Sequence, residues 1–89
     1  MLFECHITYP RDKSDIIENL AKKLHWKFSK IDGDPVLGKE VFCYLTTHDK
    51  DFCNIQTRMI WAREAGLEYN ISPVREKIEC ILYDTKVKV

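Results

Sequence analysis

From Leu2 to Tyr9 the chain alternates, with Phe3, Cys5, Ile7 and Tyr9 on one side and Leu2, Glu4, His6 and Thr8 on the other. A period of two with one apolar side is the pattern of a half-buried strand. Pro10 ends it, because proline cannot donate to a ladder. Directly afterwards Ile16, Ile17, Leu20, Ala21 and Leu24 recur at helical spacing. This predicts an amphipathic helix over 14–25, capped by Asp12 or Ser14. Asp15 and Glu18 lie in its first turns and Lys22 and Lys23 near its end, as the helix dipole favours. A strand followed at once by a helix, each apolar on one side only, must bury those two sides against each other.

The second half repeats this alternation of periods. Trp26–Ile31 reads as a strand that runs into the turn-forming Asp32-Gly33-Asp34-Pro35, with Gly38 a further flexible point. Glu40–Thr47 is a strand with Val41, Cys43 and Leu45 on one face and Phe42, Tyr44 and Thr46 on the other. The two are expected to pair as an antiparallel hairpin with a long tip loop. Asp49 or Asp51 then caps a second helix that buries Phe52, Ile55, Met59, Ile60 and Ala62, with Gly66 as a left-handed C-cap. Residues 67–73, containing Pro73, read as a connection. A last strand over 74–84 directs Val74, Ile78, Cys80 and Leu82 inward and Arg75, Lys77, Glu79, Ile81 and Tyr83 outward. Residues 86–89 read as a tail that frays. The order β-α-β-β-α-β predicts a ferredoxin-like α+β fold, a four-stranded antiparallel sheet with both helices on one face. In the usual strand order 4-1-3-2, the first and third strands are central. With 89 residues, 1–89 is one domain.

Composition excludes several function classes. Fourteen basic residues balance fourteen acidic ones, so no broad positive field is present and nucleic acid is not an expected partner. Apolar runs such as Cys80-Ile81-Leu82 are far too short to span a bilayer, and the N-terminus lacks the pattern of a signal peptide. A cytoplasmic, reducing location is the expectation. Cys5, Cys43, Cys53 and Cys80 form no CxxC pair and match no common zinc framework. Cys5, Cys43 and Cys80 fall on the apolar sides of their strands and read as reduced core thiols. Neither a metal nor a cofactor is expected. The loop from Asp32 to Gly38 reads as a turn, lacking both a calcium ligand ladder and a phosphate loop's G-K-[ST].

The helix-free face of the sheet carries what remains. The first strand places Glu4, His6 and Thr8 there, the third Phe42, Tyr44 and Thr46, and the fourth Arg75, Lys77, Glu79 and Tyr83. The expected binding set is Glu4, Phe42, Tyr44, Thr46, Arg75, Lys77 and Tyr83, with the two aromatic rings as a platform for a planar ligand or another subunit. The first expectation is therefore a binding module for a small anionic or nucleotide-like ligand or a protein partner, a homodimer included. The RNA recognition motif shares the topology and stacks bases on central-strand aromatics, but its glycine-rich basic signature is missing here.

Cys5-His6-Ile7-Thr8-Tyr9 resembles the H-x-[ST] strand motif of the two-histidine phosphoesterases. The resemblance implies His6 as a general acid/base and Thr8 as a donor to a phosphate oxygen, which defines the enzyme alternative. That family uses two such motifs in a longer, pseudo-symmetric chain. Here Thr46-Thr47-His48 runs the other way, and His48, at the strand end, is not expected on the same face. A homodimer would have to supply the second motif. The chain as a whole resembles a family of small bacterial and viral proteins with no assigned activity. The resemblance runs through Glu4–Thr8, Ile31–Gly38, Phe42–Thr46 and Arg75–Glu79, and implies one intact domain and no particular chemistry.

Overall fold

Each of the two periodicities becomes an element in the computed structural model, which describes residues 1–34 and 38–82, with the backbone alone between 31 and 41. The elements are β1 (Leu2–Pro10), α1 (Ser14–Leu24), β2 (Lys27–Asp34), β3 (Gly38–Asp49), α2 (Phe52–Leu67) and β4 (Arg75–Ile81). The sheet order is β2-β3-β1-β4, and every pairing is antiparallel. Read from the β4 edge this is 4-1-3-2, the ferredoxin-like order. The β2–β3 ladder continues to Asp34 opposite Gly38, so the connection is shorter than the long tip loop expected. Tyr83 and the tail 86–89 lie outside the described residues.

The core is the layer between the sheet and the helices. Cys5, Ile7 and Tyr9 of β1 and Cys43 and Leu45 of β3 meet Ile17, Leu20 and Ala21 of α1 and Ile55 and Ala62 of α2. Trp26 and Ile71 complete it. Ile16, Phe52 and Ile60, expected inward, are exposed. The buried stripe of α2 is narrower than expected, consisting of Ile55, Ala62 and Gly66 with Met59 partly covered. On β4 only Ile78 of the expected inward set packs against the core, whereas Val74, Cys80 and Leu82 are exposed. β4 is an edge strand, and the helices pack over β1, β2 and β3. Alternation therefore set the correct side for Cys80, opposite Phe3, without setting its burial.

The helix ends also differ in detail. A 3-10 turn, Arg11–Lys13, leads straight into α1, leaving neither Asp12 nor Ser14 as a side-chain cap. His25 ends α1 in the left-handed conformation, φ 61°, and its N–H donates to the Ala21 carbonyl. Asp51 caps α2 as expected, accepting from the Asn54 N–H at 2.9 Å. Gly66 is not the C-cap. It lies within α2, where a Cβ would sit 3.2 Å from the Tyr9 hydroxyl, so its role is close approach of the helix to β1. The left-handed residue falls at Asn70, φ 58°, where the chain turns back and seats Ile71.

Tyr9 is fully buried, and its hydroxyl has no hydrogen-bond partner among the described residues. Burial, reinforced by the charge of Glu76, pushes its pKa up to about 12. An unpaired buried hydroxyl costs about 1–3 kcal/mol. Tyr9→Phe is accordingly expected to raise stability by about 1 kcal/mol, seen as a higher urea midpoint at unchanged slope. A lower midpoint would mean that the hydroxyl is satisfied in solution.

Candidate functional site

The ladder register arranges the helix-free face in rows running across the sheet. One row is Lys27, Thr46, His6 and Lys77, drawn from β2, β3, β1 and β4. The next is Ser29, Tyr44, Thr8 and Arg75. On the other side of the His6 row, His48 lies opposite Glu4 and Glu4 opposite Glu79. The His6 row therefore borders, on one side, a row that carries two carboxylates.

Glu4 is the centre of a network. Its Oε1 accepts from His6 Nε2 at 2.5 Å, and its Oε2 accepts from His48 Nε2. His6 Nδ1 lies 3.1 Å from the Thr46 hydroxyl, so both ring nitrogens have a partner within the sheet. Glu79 Oε1 lies 3.3 Å from His6 Nε2 and 3.2 Å from Lys77 Nζ. The side chains of Glu4 and His6 are 24% and 25% exposed, while those of His48 and Glu79 are each 47% exposed. The cluster is thus anchored within the sheet and open to solvent on its outer side.

Partial burial raises the pKa of Glu4, but hydrogen bonds from His48 and His6 and their positive charge outweigh it, leaving the pKa lowered from 4.5. A carboxylate with a depressed folded-state pKa contributes stability above its unfolded value and loses it as pH falls through the folded value. The corresponding prediction is spectroscopic. In His6→Ala/His48→Ala the Glu4 carboxyl pKa should rise relative to the wild type by carbon-detected NMR, because the hydrogen bonds and charge that lower it are gone. An unchanged Glu4 pKa in the double variant would show that the imidazoles do not hold the carboxylate charge.

The structure brings Glu4, His6, Thr46 and Lys77 together and places Arg75 in the adjoining donor row. It does not offer the aromatic platform. Phe42 and Tyr44, 5% and 8% exposed, are buried although they lie opposite the core cluster. Thr8 is 3% exposed, so its hydroxyl is not presented to solvent as a phosphate contact would require. Tyr83 falls outside the described residues.

His48 is the residue that the alternation argument missed. β3 runs to Asp49 rather than ending at Thr47, so His48 is a strand residue on the same face as His6. Arg58 of α2 secures this end of the strand. It donates to the His48 carbonyl at 3.1 Å and to Thr47 Oγ1 at 2.6 Å, lies 3.6 Å from Asp49 Oδ2, and covers the Trp26 ring. Continued alternation through Thr46 and His48 was the available signal. Thr47 and Asp49, both polar on the inward side, concealed it.

The described residues contain no helix long and apolar enough to cross a membrane. Comparison of the chain with protein-family models, curated proteins and solved structures returns no match.

Proposed function

We propose that this ferredoxin-like domain is a binding module that takes up a small anionic or nucleotide-like ligand on the helix-free face of its sheet. The observation that carries this reading is the row Lys27–Thr46–His6–Lys77, which crosses all four strands with Arg75 in the row beside it. Strands about 4.8 Å apart put Lys27 and Lys77 roughly 14 Å from each other, a span suited to a ligand with more than one anionic group. Charged donors on a rigid sheet bind oxyanions without needing a net positive protein. Phe42 and Tyr44 are buried, so the reading rests on the polar side chains of the row and not on aromatic stacking. Buried Cys5 and Cys43, with thiol pKa values pushed by burial up to about 12 and about 11, suit the reducing cytoplasm proposed as its location.

The test is an NMR titration with inorganic pyrophosphate and nucleoside phosphates. Shifts are expected at His6, Thr46, Lys77 and Arg75, and Lys77→Ala should weaken binding at least about tenfold, the loss of one charge-assisted hydrogen bond. If no anion moves these resonances, the ligand reading is lost and a protein partner, a second copy included, takes its place.

One observation favours the phosphoesterase as a second reading. Because β3 is antiparallel to β1, the reversed Thr46-Thr47-His48 presents His48 and then Thr46 along the direction of β1. Its side chains thus follow each other in space as His6 and Thr8 do, and a single chain supplies both histidines. Against this reading, Glu4 engages both Nε2 atoms and Thr8 is buried. Turnover of a 2′,3′-cyclic phosphodiester, abolished in both His6→Ala and His48→Ala, would establish it. Absence of turnover by the wild type ends it.

A further inference from the structure

The carboxylate row is not explained by an anion site. Glu4 and Glu79 are directly opposite on neighbouring antiparallel strands, and like charges in that relation destabilise a sheet. We infer that Glu4, His6 and Glu79 form a binding site for a divalent transition-metal ion of the zinc class. Glu4 Oε1, His6 Nε2 and Glu79 Oε1 would be its ligands.

Three features of the cluster support this. One ligand atom from each of the three residues lies within 4.8 Å of the others, and His6 Nε2 is 3.3 Å from Glu79 Oε1. Ligands about 2.0–2.1 Å from a tetrahedral zinc ion are roughly 3.3 Å apart, so that edge already fits, while the His6 Nε2–Glu4 Oε1 edge, now 2.5 Å, would open by about 0.8 Å as the ion replaces the hydrogen bond. The outer contacts are those that orient metal ligands. Thr46 meets His6 Nδ1, and can accept its proton when Nε2 turns to the ion, while His48 holds the second oxygen of Glu4. Finally, the exposed side of the cluster gives an entry path and leaves a fourth position for water or an incoming ligand. One imidazole nitrogen with two carboxylates suits zinc, whereas magnesium prefers an all-oxygen octahedron that keeps its waters. Lys77, now 3.2 Å from Glu79, would be released toward the donor row when the ion takes that oxygen.

The inference deepens the anion-binding reading, because an ion with an open position adds a contact for an oxyanion, but it is tested separately. The exposed thiols Cys53 and Cys80 could bind zinc by themselves, so the experiment uses the full chain carrying Cys53→Ser and Cys80→Ser. Calorimetry with zinc chloride should give one site per chain, weakened by Glu79→Gln and by Glu4→Gln by at least the roughly 10–100-fold that loss of an outer contact alone causes. Glu79 is exposed, so its variant should retain the wild-type circular dichroism and report on binding alone. Cobalt should give the visible absorption of a four- or five-coordinate ion in the parent and lose it in His6→Ala. Equal zinc affinity in parent and Glu79→Gln, or magnesium binding as tight as zinc, overturns the inference. Anion shifts that persist in chelator-treated protein with no zinc binding would leave the anion reading standing and this one overturned. Zinc binding without any anion response would do the reverse.

Discussion

Truncating Ile7 to alanine is expected to cost about 2–5 kcal/mol, the range for removing a large aliphatic side chain from a packed interior. Ile7 is fully buried in the middle of β1, with Leu45 beside it on β3 and Glu76 beside it on β4. Its side chain belongs to the cluster that both helices cover, so neighbours cannot collapse into the space without moving a helix. A chain of this size is stable by about 4–13 kcal/mol in total, at 0.05–0.15 kcal/mol per residue. The loss is therefore a large fraction of the whole, and the urea midpoint should fall by about 2 M or more. Ile16→Ala is the matched control. Ile16 is the adjacent isoleucine of the same helical stripe as Ile17 but is exposed, and its truncation should cost less than about 1 kcal/mol. Equal effects at the two positions would contradict the packing described.

Arg58→Ala is expected to destabilise the domain by about 2 kcal/mol and to loosen the end of β3 specifically. The guanidinium donates from Nη1 to the His48 carbonyl and from Nη2 to Thr47 Oγ1, and lies 5.8 Å above the Trp26 ring centre. Hydrogen bonds to a charged group contribute about 1.5–3 kcal/mol, and a partly exposed cation–π contact about 0.5–1 kcal/mol, with incomplete additivity. Lysine cannot span two acceptors with a planar fork, so Arg58→Lys should recover less than half of the loss. The distinguishing measurement is amide exchange. Residues 47–49 should exchange faster in Arg58→Ala while the centre of β1 stays protected, and the His48 side-chain resonances should shift. Uniform acceleration throughout the sheet would mean that Arg58 supports the fold generally and does not position His48.

The fold was legible because its periodicities are local. Residues 2–9 alternate, and an alternating strand needs only an apolar layer on one side to be placed correctly, whichever layer that turns out to be. The stripe on α1 and the Asp51 cap on α2 are equally local signals, readable without knowing any partner. Burial was less legible wherever it depended on what lay opposite. Phe52, Ile60 and Cys80 are apolar and on plausible faces, yet they are exposed because α2 buries only a narrow stripe and the helices pack over the other three strands. Phe42 and Tyr44 show the converse, correctly assigned to the helix-free face and still buried there.

For the site, alternation on β1 was enough to put Glu4 and His6 side by side, and the two-residue spacing is visible in Glu4-Cys5-His6. The acidic and basic positions of β4 were likewise visible as alternating outward residues. The pairing of Glu4 with Glu79 and with His48 was not, because it depends on register between strands separated by whole helices. A strand's own pattern fixes its side-chain faces to within the choice of layer. It leaves open where the neighbouring strand begins and ends, and two residues more of β3 were enough to bring in a second histidine. Local alternation and helical spacing thus specified the elements and their apolar sides. The cluster of Glu4, His6, His48 and Glu79 arises only when antiparallel pairing, set by burial of the opposite face and secured by Arg58, brings three strands into register.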